Sequence, residues 1–399
     1  MIKIERKEEC CGCWACENIC PKHCIEMKED KEGFRYPVVD VDQCIECGLC
    51  EKACPLKKEK PEVTQSPRSY VVQNNDADIL RHSTSGGFFT AISKYAIERG
   101  GCVFGAAFDE TMTLRHQKAE TMEDCGKFRG SKYIQSLIGK AYSEALHELK
   151  NGRVVVFSGT GCQIAGLYGF LNGKKFDNLI TVDLVCHGVP SPLLFSKFVK
   201  NIECKFGSRI VNYLSRDKYY GYDYSTAAIL FKDPAISCHL NGENNIMSGT
   251  YFKGLCSRPS CYECHFRTLN RLSDFTIFDC WNAPAVSSIF SRKGATNVFL
   301  HTQKAADVFE VIKQDFVYAP SNLEKIVATD GVMIREQPRK HPKREQFFSD
   351  LSEGMSIDNL QKKYNDRGLP KKLFLKVKPF LYRIGLWSLY MRLKQIVVS

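Results

Sequence analysis

Two domains of different make are expected from this sequence. The first is a small α+β domain built around bound metal over residues 1–60, and the second an α/β domain over 69–330. A linker at 61–68 joins them, and a basic helical extension follows at 331–399. Three observations lead there: eight cysteines in a doubled run, a stretch of proline and charge behind them, and an alternation of apolar strand-like runs with helical segments beyond it.

Cys10, Cys13, Cys16 and Cys20 precede Pro21, and 34 residues later Cys44, Cys47, Cys50 and Cys54 precede Pro55. Both runs read C-x2-C-x2-C-x3-C-P, the spacing of bacterial two-cluster ferredoxins, in which the fourth cysteine of each run ligates the other cluster. The expected sets are therefore crossed. Cys10, Cys13, Cys16 and Cys54 hold one 4Fe-4S cluster, and Cys44, Cys47, Cys50 and Cys20 the second. A structural zinc site needs four ligands and no doubled pattern, and disulfide frameworks belong to short secreted chains. Cys11 and Cys24 fall outside both patterns and read as bystanders. The first domain is thus of the ferredoxin-like dicluster type.

With 399 residues and 44% hydrophobic content, the chain has material for a further sizeable core. No apolar stretch precedes the first cysteine and no run is long enough to span a bilayer. Twenty cysteines in that context indicate reduced thiols and a cytoplasmic setting. The net charge of +11 is concentrated: residues 371–399 carry seven Lys or Arg and no acid, whereas residues 1–60 carry 11 basic and 13 acidic residues. A basic footprint over the whole protein is absent, so nucleic acid is not an expected partner.

Residues 55–68 (PLKKEKPEVTQSPR) have linker composition. Beyond them Tyr70 to Gln73 and Cys102 to Phe108 read as strands around a helix from Gly87 to Glu98. Lys140 to Leu149 reads as a helix leading into the apolar run Val154 to Phe157, a Gly-rich turn, a second helix from Cys162 to Leu171 and a strand from Leu179 to Val185. Strand, glycine turn, helix and strand make an α/β arrangement with a crevice at the strand ends. A shorter strand spans Asp274 to Phe278.

Four later cysteines stand in distinctive contexts: Cys162 in SGTGCQ, Cys186 in DLVCHG, and Cys261 with Cys264 in RPSCYECHF. A C-x2-C pair supplies two adjacent ligands, and two thiols at neighbouring strand ends would complete a tetrahedral set. Spacing alone leaves zinc, redox-active and iron-sulfur readings open. Cys256 and Cys280 are substitutes as ligands, while Cys102, Cys125, Cys204 and Cys238 read as ordinary core residues.

The motifs TSGGFF (from Thr84), RGSKYIQS (from Arg129), SGTGCQIAG (from Ser158), CHGVPSP (from Cys186), RPSCYECHF (from Arg258), SDFTIFDCW (from Ser273) and KGATNV (from Lys293) occur in one order. In this the chain resembles the coenzyme F420 hydrogenase/dehydrogenase beta-subunit family, whose members often carry a two-cluster ferredoxin module ahead of a flavin domain. The resemblance implies an α/β flavin-binding domain with a mixed sheet, non-covalent FAD, and one further 4Fe-4S cluster with Cys162, Cys186, Cys261 and Cys264 as the matching ligands. It also implies an electron route from the ferredoxin clusters through that cluster to the flavin. Gly161 stands where relatives usually have Pro, and Phe278-Asp279-Cys280-Trp281-Asn282 where they have GD-x-WG, departures that bear on substrate access.

Ser85, Gly86 and Gly87 before a helix offer donors to an anion such as the flavin pyrophosphate. Taken alone, a Ser-Gly-Gly turn is usually only a turn. With the resemblance, Arg129, Gly130, Ser131, Lys132, Tyr133, Gly159 and Thr160 join them as candidate flavin contacts. Lys132 would offset phosphate charge or stand near the flavin ring, and Tyr133 would stack or donate. His187 and Asp279 are the candidate catalytic residues. His187 is open to proton donation, to tuning the adjacent cluster or to a structural role, and Asp279 to orienting flavin or substrate or to capping a loop.

The tail from Leu369 mixes Lys and Arg with aromatic and aliphatic residues without segregating them to one face. Docking on protein is favoured over peripheral membrane contact. The expected whole is a cytoplasmic iron-sulfur flavoprotein oxidoreductase with a redox partner protein, a ferredoxin or an oxidoreductase subunit, and a small-molecule acceptor. The alternative is an electron-transfer subunit without its own substrate site.

Overall fold

The computed structural model describes residues 1–58, 66–222, 224, 226–241 and 244–365, together with 377, 380, 381 and 384–386. Most of the linker and of the basic tail therefore lies outside the described residues.

The N-terminal domain is α+β. A two-stranded antiparallel hairpin, β1 (Ile25–Glu29) and β2 (Arg35–Val39), stands beside two one-turn helices, Ala15–Ile19 and Leu49–Ala53. Each helix starts inside a cysteine run and stops at its last cysteine, Cys20 or Cys54, whose extended backbone precedes the proline.

The second domain is α/β around an eight-stranded mixed sheet. Its strands are β3 (Arg68–Asn74), β4 (Cys102–Phe108), β5 (Leu114–Ala119), β6 (Val155–Thr160), β7 (Leu179–Leu184), β11 (Phe275–Cys280), β12 (Ala295–Leu300) and β13 (Phe316–Pro320), in the order β13-β3-β12-β11-β7-β6-β4-β5. The central four, β11, β7, β6 and β4, are parallel, and the flanking pairs are antiparallel. Strand β12 is buried along its whole length, as a strand covered on both faces must be. Phe88, Ala91 and Ile92 of helix Phe88–Ile97 and Phe309 of helix Gln303–Ile312 cover one face. Helices Ala141–Lys150 and Gly161–Leu171 cover the other.

A separate antiparallel sheet, β8 (Ile210–Asp217), β9 (Thr226–Phe231) and β10 (Ser237–Leu240), has no counterpart among the strands expected from the sequence. It packs with helix Pro192–Phe206 and the C-terminal helices Arg344–Ser352 and Ile357–Asn365 in a third core, which Phe34 of the first domain enters. Beyond residue 331 the described chain runs through a short irregular stretch into the helices Arg344–Ser352 and Ile357–Asn365.

Candidate redox site

Two hollows in the first domain gather the eight cysteines. One is lined by Cys20, Cys44, Cys47 and Cys50, with Cys24 beside them; Cys24 Sγ lies 3.4 Å from Cys20 Sγ. The other is lined by Cys10, Cys13, Cys16 and Cys54, with Cys11 beside them. Each hollow takes three cysteines from one run and the last from the other. No three His, Cys, Asp or Glu among the described residues are placed to hold a single metal ion. The cysteines stand around spaces instead, which suits a polynuclear group. Cys47 is exposed, so the first hollow is the outer one, whereas Cys13 and Cys16 are buried.

The inner hollow sits against helix Gly161–Leu171. A side chain at Gly166 would lie 2.7 Å from Cys13 Cβ, and one at Gly169 would lie 2.0 Å from the Ala53 carbonyl oxygen. Two glycines three residues apart leave a flat strip on one helix face, and the cysteine loops lie on it. The same helix begins at the end of β6 with Cys162 in its first turn. The Thr160 and Gln163 side chains form a capping box there, and Thr160 Oγ1 lies 3.1 Å from Cys162 Sγ.

Cys186 follows β7, and Cys261 and Cys264 lie on the loop before β11. Burial, then Cys162 and Cys264, push the Cys186 thiol up to about 12. Burial, then Cys186, Cys264 and Cys162, push Cys261 well above the usual thiol range. The four thus form one half-buried group near the carboxyl ends of parallel strands, where crevices of open α/β sheets lie. Unligated, the Cys186, Cys261 and Cys264 thiols stay protonated, whereas Cys11 and Thr160 lower Cys162 to about 7; a bound metal replaces protons because its charge stabilises thiolates. The Gly188 N–H donates to Cys186 Sγ at 3.3 Å, a contact that suits a metal-bound thiolate. The donor set fits a 4Fe-4S cluster. Cys11, on the wall of the inner hollow, lies near both Cys13 and Cys162, which with burial push its thiol well above the usual range.

Next to the quartet opens an aromatic crevice. His187 packs edge-on to Tyr251 at 5.1 Å and near Phe252, and Tyr251 meets Tyr133 at 5.0 Å. Burial, then Arg267, hold His187 below its usual range. Asp279, near the end of β11, accepts from Ser85 Oγ at 2.7 Å and Tyr222 OH at 3.2 Å and pairs with Arg216. The Arg216 guanidinium lies 4.2 Å from the Trp281 ring, which stacks with Tyr222. Aromatic faces with fixed cations fit a flat, anionic group such as a flavin.

The candidate flavin donors divide. Ser85, Ser131 and Tyr133 border the crevice, and the Ser131 N–H donates to Thr84 Oγ1. The Gly86 N–H donates to Thr296 Oγ1 at 2.8 Å, and a side chain at Gly86 would meet the Val72 carbonyl at 2.4 Å. Gly86 is glycine because strands crowd it, and its N–H is engaged within the protein. Gly87, with φ +82°, starts helix Phe88–Ile97. Lys132 donates to the Phe128, Arg129 and Gly130 carbonyls at 3.0–3.3 Å, and burial lowers its ammonium to about 7; it braces that loop. Gly159 and Thr160 are the last residues of β6, and Thr160 caps the helix that carries Cys162. Cys280 stands beside Asp330, away from the quartet, and Cys204 is exposed rather than a core residue. Cys102, Cys125 and Cys238 are buried.

Gly161 has a local reason. A side chain there would approach Arg271 NH1 at 3.0 Å, and Arg271 forms a buried ion pair with Asp183 at 3.1 Å. Sequence reasoning missed Arg216, Lys218 and Tyr222, which the small sheet brings to the crevice. Lys218 donates to the Ser85 carbonyl at 2.7 Å. The stretch Ser215 to Tyr222 (SRDKYYGY), dense in cations and tyrosines, was the available signal.

Hollows walled by ferredoxin-spaced cysteines beside an α/β crevice define an iron-sulfur electron-transfer protein. Residues 9–58 match the 4Fe-4S dicluster domain, and residues 152–325 match the C-terminal domain of the coenzyme F420 hydrogenase/dehydrogenase beta subunit. The chain thus joins a 4Fe-4S dicluster domain to a domain of the F420 hydrogenase/dehydrogenase beta-subunit family. An uncharacterized protein of Methanocaldococcus jannaschii is 29% identical over 197 residues, 42% of this chain and 54% of that protein. NADH-quinone oxidoreductase subunit I 2 of Geobacter metallireducens is 40% identical over 55 residues, 12% of this chain and 42% of that protein. The matched stretches thus span about half or less of these relatives. A chain of the F420-reducing NiFe hydrogenase complex of Methanosarcina barkeri resembles this one with TM-score 0.44 and 19% identity, covering 77% of this chain and 94% of that chain. The matched segments leave out Ser85–Gly87 and Arg129–Tyr133. No helix among the described residues is long and apolar enough to cross a membrane.

Proposed function

We propose that the protein is an iron-sulfur flavoprotein oxidoreductase that passes electrons from two ferredoxin-type 4Fe-4S clusters through a third 4Fe-4S cluster to FAD and on to an organic acceptor, F420-like or another small molecule. The observation that carries this reading is contiguity. The outer hollow adjoins the inner one within one small domain, Cys11 links the inner hollow to Cys162, and Tyr251 links the quartet to the aromatic crevice. The flavin would supply the conversion between one-electron carriers and a two-electron acceptor. The chain's own part is to hold the crevice: Arg216 and Lys218 supply positive charge, Tyr133 and Trp281 supply ring faces, and Asp279 fixes Arg216. Domain limits at 60, 69 and 330 are part of the same proposal.

Iron analysis of anaerobically purified protein should find about twelve irons per chain, four for each cluster. Acid-released flavin should be FAD. Finding about eight irons would remove the third cluster, and a flavin-free protein with full iron would remove the crevice assignment. In a Cys186→Ser variant, dithionite should bleach the ferredoxin-type clusters at the usual rate while flavin reduction slows sharply. Unchanged flavin reduction in a variant shown to lack that cluster would sink the series route.

Exposure of Phe252 and Trp281 at the crevice supports a second reading, an electron-transfer subunit whose partner enzyme covers this face. Reduction of free small acceptors without a partner protein would exclude it.

A further inference from the structure

Arg258 is fully buried, one of the largest buried side chains in the protein. Its backbone carbonyl accepts from the Cys261 N–H at 2.9 Å, in the turn that presents Cys261 to the quartet. Its side chain runs the other way, into the wall of the inner hollow. Nε donates to the Cys10 carbonyl at 2.7 Å, NH1 to Gln135 Oε1 at 3.0 Å, and NH2 to the Arg35 carbonyl at 2.9 Å and to Cys10 Sγ at 3.3 Å. The guanidinium lies 4.3 Å from the centre of the Tyr36 ring.

None of these acceptors is a carboxylate. A buried cation needs a counter-charge, because removing it from water costs several kcal/mol unless an anion or good hydrogen bonds compensate. Among the four groups that accept its hydrogen bonds, only the Cys10 sulfur can carry a full negative charge. The chain also reserves space for the group. A side chain at Gly12, which has φ +67°, would lie 2.8 Å from Arg258 NH1 and 2.6 Å from Gln135 Nε2.

We propose that Arg258 is the counter-charge of the cluster held by Cys10, Cys13, Cys16 and Cys54, and that it sets this inner cluster's reduction potential above that of the outer one. The inference rests on the cluster reading given above. One-electron reduction adds one negative charge to the cluster, and a fixed cation hydrogen-bonded to a ligand sulfur stabilises that state. In the exchange the outer cluster loses one electron and the inner gains one, with no proton required. Electrons arriving at the exposed Cys47 side are thereby drawn inward, toward Cys261.

The test is a potentiometric titration of the full chain followed by EPR, with the outer cluster's signal identified by its change in Cys47→Ser. At the potential where the wild-type inner cluster is half reduced, Arg258→Gln should lower its reduced-to-oxidised ratio about tenfold, equivalent to about 59 mV for one electron. The outer cluster should change less than about twofold on the same scale. Arg258→Lys keeps the charge and should stay within about threefold of wild type. An inner cluster that is present but unshifted in Arg258→Gln overturns the proposal. So does a Lys variant that falls as far as the Gln variant, since packing would then explain both. If Arg258→Gln fails to load inner iron, wild type decides: the inner cluster must take up its electron first, and reduction of the outer one first overturns the proposal. Wild-type protein lacking an inner cluster altogether would sink the functional reading itself, a result that iron analysis distinguishes.

Discussion

At the third position of its cysteine run Gly12 has φ +67°, and its counterpart Glu46 has φ +52°; at the fifth, Trp14 has φ +66° and Gly48 has φ +72°. The two loops follow one backbone path with glycine at opposite positions. At Gly12 the space for a side chain is taken by the ends of Arg258 and Gln135, which would have to move to admit any other residue. Glu46 is exposed and accepts a left-handed conformation that L-residues adopt at a cost of roughly 1–2 kcal/mol. Ligand geometry dictates the backbone; what the loop touches dictates the side chains. The inner loop is built against the second domain and the outer loop against solvent.

The largest effect should come from breaking the inner clamp. Arg344 pairs with Glu32 through two hydrogen bonds, at 3.0 and 2.7 Å, both side chains buried. Arg344→Leu leaves the Glu32 carboxylate uncompensated and should cost about 3–5 kcal/mol, read as a lower urea midpoint. Glu46→Gln on the outer loop should stay within about 0.5 kcal/mol, and an equal loss from both would erase the contrast. Gly12→Ala comes next: overpacking should cost about 1–3 kcal/mol and release about four irons, while the outer EPR signal persists. Loss of the outer signal as well would mean that the two loops do not fold independently. A third contrast is chemical. Mild oxidant with chelator should strip the cluster beside exposed Cys47 before the inner one, measured as two phases of iron release, and a single phase would speak against the exposure difference. The smallest effect is a gain: Glu46→Gly should relieve the left-handed strain and stabilise by about 1 kcal/mol in the same urea assay.

The cysteine spacing and the strand-turn-helix alternation made both domains and the α/β order legible, because ligand spacing and apolar periodicity are local. Strands β4 and β7 and helix Gly161–Leu171 fall within a residue or so of where the pattern puts them. The sheet β8–β10 was not legible. Its strands pair with one another and pack on helices from residues 192 to 365, so their apolar content serves contacts far away in sequence. Arg216 and Lys218 were missed for the same reason, and Arg258 because an arginine in a loop reads as exposed. Ser85 and Gly86 drew attention as anion donors, yet their donors meet Asp279 and Thr296 across 194 and 210 residues of chain.

The first domain is held at three contacts, two of them on its hairpin turn. Ala53 lies flat on Gly169, the hairpin turn at Gly33 presses on Leu193, where a side chain would come within 2.4 Å, and Glu32 is locked to Arg344. A carrier module on a free tether delivers charge by diffusing between docking positions, and its turnover slows as the solvent thickens. A module bolted at three points has no such excursion to make. On the proposed route, transfer from the inner hollow to Cys162 would cross a constant gap, so its rate should be indifferent to added glycerol while delivery from an outside donor slows.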